Sequence, residues 1–214
     1  MIRPKITFKT DPRGLQNDIL RSLPRLNNSK TIERSLRDSS GKLIYKKIEQ
    51  FKREMVKEFI NHPVTKEIMA GSSASNTSGT LNGYGNLYTF IGFGKGDDPI
   101  TPIINLLNRT TYNFTNFNSR AQFTLNVEMP SADQIFRMTP LPWAPGLSWA
   151  QKIEQGMPGF GQYMNKESST SRSGSGIQAD GQIRGGGFRN TKYISALMSK
   201  WQNKFKTIGN ITNL

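Results

Sequence analysis

The chain has 214 residues, of which 35% are apolar, so one modest core with extensions is expected rather than two full domains. Lys and Arg number 29 against 15 Asp and Glu, a net charge of +14, which implies an acidic partner, either nucleic acid or an acidic protein surface. There is no cysteine and one histidine, His62, which excludes disulfide scaffolds, thiolate and histidine metal clusters and cysteine nucleophiles, and leaves one residue for a Ser/His/Asp triad.

The opening MIRPKITFKTD lacks the apolar stretch of a signal peptide, and no apolar run approaches the ~20 residues that cross a bilayer, so a soluble, cytoplasmically folded chain without membrane contact is expected. Residues 1–41 contain Pro4, Pro12 and Pro24 with polar stretches around Asn27 to Lys30 and Arg37 to Gly41, and read as an N-terminal arm with at most short helices. From Lys42, Ile44, Ile48, Phe51, Met55 and Phe59 recur at three- and four-residue steps, the apolar face of a helix. Pro63 restricts His62, ending that helix at Asn61 and starting a short second one that stops at Gly71.

The segment GSSASNTSGTLNG (71–83) has one large apolar side chain and no charge, and predicts a flexible loop. Leu87 to Phe93, short, aromatic and glycine-bounded, predicts a buried strand. Asp98 and Pro99 suit the cap and first turn of a helix through Leu107. Strands follow at Tyr112 to Phe117 and Ala121 to Met129, the second alternating apolar and polar. Ser131 with Gln134 is a capping-box spacing. Trp149 to Gln155 predicts a further helix closed by Gly156. Residues 157–187 read as a second flexible loop with strand-like Ile177 and Ile183. Ile194, Leu197, Met198, Trp201 and Phe205 then mark a C-terminal helix, followed by a tail over 207–214.

These elements predict an α+β fold: a small antiparallel β-sheet packed with a long N-terminal helix and a C-terminal helix, in one core domain over 42–206. Ile44, Phe51, Met55, Phe123, Leu125, Leu197 and Trp201 are the expected shared core. Residues 1–70 carry 16 basic and 8 acidic side chains, 71–165 carry 5 and 5, and 166–214 carry 8 and 2, so a neutral middle is flanked by basic ends.

No constellation supports catalysis or a cofactor. The run GFGKGDDP has neither P-loop nor dinucleotide spacing, and Asp97 and Asp98 would repel a phosphate. His62 reads as a cap or interface histidine, and no paired-carboxylate site can be named. Trp143, Trp149, Phe160 and Tyr163 sit in a Pro/Gly-rich region and are interface candidates, as are Arg184 and Arg189 of RGGGFR, a single short resemblance to an RGG segment.

The strings NHPVTKEI (61–68), GNLYTFIGFGKGDDPITPI (85–103), TPLPWAPGLSWAQKIEQG (139–156) and GGFRNTKYISALMSKW (186–201) resemble the head-tail joining and tail-completion neck proteins of tailed bacteriophages. The resemblance covers residues 43–205. It implies a long helix, a small sheet and a C-terminal helix in a ring-forming virion protein made in the host cytoplasm. The implied partners are further copies of itself and adjacent neck, portal or tail proteins, with nonspecific DNA contact. The alternative is a basic, sequence-nonspecific nucleic-acid-binding protein.

Overall fold

A computed structural model describes residues 5–9, 29–81, 85–115, 124–156, 163–165, 177–179 and 189–210. The fold is α+β. Helix α1 spans Ser29–Asn61, about 50 Å at 1.5 Å per residue. It starts well before Lys42, inside the stretch expected to be an arm. Neither Gly41 nor the neighbouring serines interrupt it, because a single helix glycine costs only about 1 kcal/mol and Pro24 is the last proline before Pro63. The expected apolar stripe is the buried one: Ile44, Ile48, Phe51, Met55 and Phe59 are each at most 5% exposed.

Part of the supposed arm is also a strand. Lys5–Lys9 (β1) pairs antiparallel with Thr124–Glu128 (β3), whose other edge takes Thr111–Thr115 (β2), giving the order β1-β3-β2. KITFK alternates in period two, a signal overshadowed by the prolines on either side. In β3, Leu125 and Val127 are buried as the alternation predicts, but Asn126 is buried too; with β1 and β2 on both edges, β3 is central.

The chain packs into two compact units: Met1–Met55, Arg109–Pro130 and Ser199–Leu214 form the first, and Val56–Asn108 and Ser131–Met198 the second. Helix α1 and the C-terminal helix contribute residues to both. In the first unit Phe51 meets Trp201 and Phe205 edge-on, with ring centroids 5.9 and 5.7 Å away. Of the expected shared core, Ile44, Phe51, Met55, Leu125 and Trp201 belong to this unit, Leu197 belongs to the second, and Phe123 lies outside the described residues.

The second unit continues from α1 through the extended His62 into α2 (Pro63–Met69) and a 3-10 turn at Gly71–Ser73. Leu87–Ile91 is a helix, α3, where a strand was expected. The Asn86 side chain accepts from Thr89 N at 3.0 Å at one end. At the other, Gly92 turns left-handed (φ 90°), with Gly92 N bonded to Thr89 O and Phe93 N to Tyr88 O. Those bonds form a Schellman closure. All five residues of α3 are buried, and a short run buried on every side carries no period to distinguish helix from strand.

Helix α4 runs Thr101–Asn108, α5 Ala132–Arg137 and α6 Trp149–Gln155. The capping box of Ser131 and Gln134 is complete, and Gly156 follows α6 at φ 82°. Between α5 and α6, Pro140–Leu141 (β4) and Ala144–Ser148 (β5) make an unanticipated hairpin. Tyr163–Asn165 (β6) pairs with Ile177–Ala179 (β7) inside the stretch read as a loop; Ile183 lies outside the described residues. Helix α7, Ile194–Lys206, buries its whole predicted stripe.

Candidate interaction surfaces

Each polar group that looked chemically suggestive has a structural task. Asp97 Oδ2 accepts from Gly94 N at 2.6 Å, and Asp98 Oδ1 accepts from Ile100 N and Thr101 N at 3.1 and 3.0 Å. The amides that a phosphate would need are therefore occupied by the loop's own carboxylates. Hydrogen bonds from Thr101 hold the Asp98 carboxyl below its usual range. The Tyr88 hydroxyl donates to Gly94 O in the same turn, and its pKa is raised, by burial first and then by the charge of Asp97. These groups line a cleft of about 470 Å³ with Lys95, Ser72 and Ser73.

His62 caps α2. Its Nδ1 accepts from Val64 N at 3.3 Å while Nε2 lies 3.1 Å from Lys192 O, so the proton belongs on Nε2 and the ring is neutral. Burial lowers its pKa, against the opposing pull of the Lys192 carbonyl and Glu58. The ring lies 4.9 Å from that of Tyr193, whose buried hydroxyl bonds Thr65 Oγ1 at 2.8 Å and whose pKa burial raises.

Glu67, for which the sequence offers no signal, is 1% exposed. Its Oε2 accepts from Ser78 N at 2.8 Å and its Oε1 from Leu87 N at 2.7 Å. One carboxylate thus ties Ser78, inside the Ser/Asn/Gly segment, and Leu87, the first residue of α3, to α2, and Asn86 adds bonds from Nδ2 to Ser72 O and Ala74 O. Thr80 and Leu81 are buried. Ser78 N–H and Leu87 N–H need an acceptor as the loop closes, and a carboxylate supplies two without a donor to satisfy.

The interface candidates separate. Trp143, between β4 and β5, is 48% exposed, and its indole N–H donates to Ile91 O at 3.0 Å. Trp149 is a correction: as the first residue of α6 it is 1% exposed, edge-on to Phe93 at 5.8 Å and near Tyr193. The Ser148 cap, whose Oγ accepts from Gln151 N at 3.1 Å, builds a regular helix directly after the Pro/Gly-rich run and turns the indole inward. Arg189 is exposed while its backbone N–H donates to Thr80 O at 2.8 Å. Tyr163 opens β6, opposite Ala179. Phe160 and Arg184 lie outside the described residues. Exposed apolar residues not anticipated include Leu147 on β5 and Met138 just before β4, at 44% and 43%, and, elsewhere, Leu43, Tyr45 and Met69.

Charge divides by unit. The first unit's three stretches contain 19 basic and 7 acidic residues, net +12; the second's contain 10 and 8, net +2. In the first, Lys204 Nζ sits 2.6 Å from Glu54 Oε2, which lowers the Glu54 pKa, and lies over the rings of Trp201 and Phe51. Lys52 pairs with Glu49 at 3.1 Å. Among the described residues no group of three or more acids and histidines could hold a metal ion, and no helix is long and apolar enough to cross a membrane. No protein-family model, curated protein or solved structure matches the chain.

Proposed function

We propose that this chain is a non-enzymatic structural protein of a tailed-phage virion, a ring-forming neck component of head-tail connector or tail-completion type that joins the portal side to the tail. Beside the resemblance of its sequence strings, the observation that carries this reading is the β4–β5 hairpin. That hairpin and the turn leading into it present Met138, Trp143 and Leu147 to solvent. Three large apolar side chains left exposed within ten residues of sequence suit a surface that a neighbouring subunit covers. A subunit that offers one surface to a different surface of the next closes into a ring when the rotation permits.

Native mass spectrometry and electron microscopy of the chain, alone and mixed with neighbouring neck, portal and tail proteins, test the proposal. A cyclic homo-oligomer, or incorporation into one, is expected. Leu147→Glu with Met138→Glu should abolish assembly and leave the circular dichroism spectrum unchanged. A strict monomer in every mixture, or rings indifferent to the double substitution, would overturn it.

A further inference from the structure

We infer that the first unit, through the outer face of α1, docks on the phosphate backbone of duplex DNA without reading sequence. The inference does not rest on the neck reading. Twelve of the fourteen net positive charges fall in this unit, although it is assembled from three separate stretches of chain. On α1, Lys42, Lys46 and Arg53 are all exposed. At 100° per residue they fall within about 40° of one another around the helix. Ile44, Phe51 and Met55, which are buried, lie roughly opposite. The core stripe therefore fixes which way the basic stripe faces.

The chemistry favours a duplex over an acidic protein. Two of the unit's acids, Glu49 and Glu54, are engaged with Lys52 and Lys204; Glu49 falls on the same side of α1 as the stripe, where its pairing with Lys52 leaves Lys42, Lys46 and Arg53 as a net positive excess. Lys42 to Arg53 spans about 16 Å of straight helix. A linear array with a net positive charge fits a partner with a linear array of negative charge, and duplex DNA carries a charge every ~1.7 Å of its axis. Lysines and an arginine without a recognised base-reading module contact phosphates, which carry no sequence information.

The full chain is titrated with a labelled duplex of about 30 base pairs at several salt concentrations, by fluorescence anisotropy. Binding should be independent of sequence and should weaken steeply with salt. Lys42→Glu/Lys46→Glu/Arg53→Glu should weaken binding more than about tenfold at ~0.1 M salt and make the log–log salt slope shallower by roughly 2 to 3, close to 0.9 per lost phosphate contact. Lys95→Glu/Arg137→Glu/Lys192→Glu in the second unit, with the same change in net charge, should weaken it far less. If the first triple variant fails to fold, Lys42→Gln/Lys46→Gln/Arg53→Gln should still make the slope shallower by a similar amount. Equal losses from both triple variants would show that net charge alone attracts DNA and overturn the stripe. No binding by the native chain, or tighter binding to polyglutamate than to the duplex at equal salt, would overturn the duplex.

Discussion

At Gly92 two demands meet: a φ of 90° that closes α3, and a neighbour so near that an added Cβ would lie 3.1 Å from Trp143 Cδ1. Gly92→Ala should therefore cost about 1 to 3 kcal/mol, read as a lowered urea midpoint; an unchanged midpoint would mean that the hairpin moves aside freely. Glu67→Gln keeps the size of the side chain but turns an amide NH₂ toward a backbone donor. A loss of about 2 to 3 kcal/mol is expected, with faster hydrogen exchange at Ser78 and Leu87. His62 sets a pH dependence. Its folded pKa lies below the usual 6.5, so the unfolded chain binds the proton more readily, and stability falls as pH drops from about 7 through that depressed value. His62→Asn keeps a capping oxygen and should flatten the melting temperature between pH 7 and 5; an unaltered slope would assign the dependence to other groups.

Among elements, those with a period or a paired signal were legible. The stripes of α1 and α7, the capping box of α5 and the Gly156 stop of α6 each carry such a signal, and Phe51→Ala or Trp201→Ala should cost about 3 to 5 kcal/mol, measured by thermal or chemical unfolding. What stayed hidden was decided by distant partners. β1 exists because β3 offers an edge far along the chain. The 71–83 segment looks featureless because the group that holds it, Glu67, lies in α2 rather than within it. Trp149 is misplaced by its neighbours' composition, because the Ser148 cap that turns it inward directly follows a Pro/Gly-rich run. The β4–β5 hairpin hides in a proline-rich run because Pro140 and Pro145 are tolerated in a two-stranded ribbon, which has only edges.

For the whole molecule, composition announced the charge but not its location. Counting along the chain gave basic ends and a neutral middle, yet Arg109–Pro130 leaves that middle to join the ends in the first unit. A functional reading of the sequence rests only on a resemblance and on a set of aromatic and arginine interface candidates. A net +12 within one unit implies self-repulsion, so raising salt from low levels to ~0.15 M should stabilise the first unit more than the second; equal shifts would mean the cations are already compensated. The three tryptophans make that comparison optical. Trp201 belongs to the first unit and Trp143 and Trp149 to the second. A Trp201→Phe chain emits from the second unit alone, with a red-shifted contribution from half-exposed Trp143 and a blue one from sheltered Trp149. Trp143→Phe/Trp149→Phe leaves a single indole beneath the ammonium of Lys204, so one spectrum tracks the melting of each unit without any added dye.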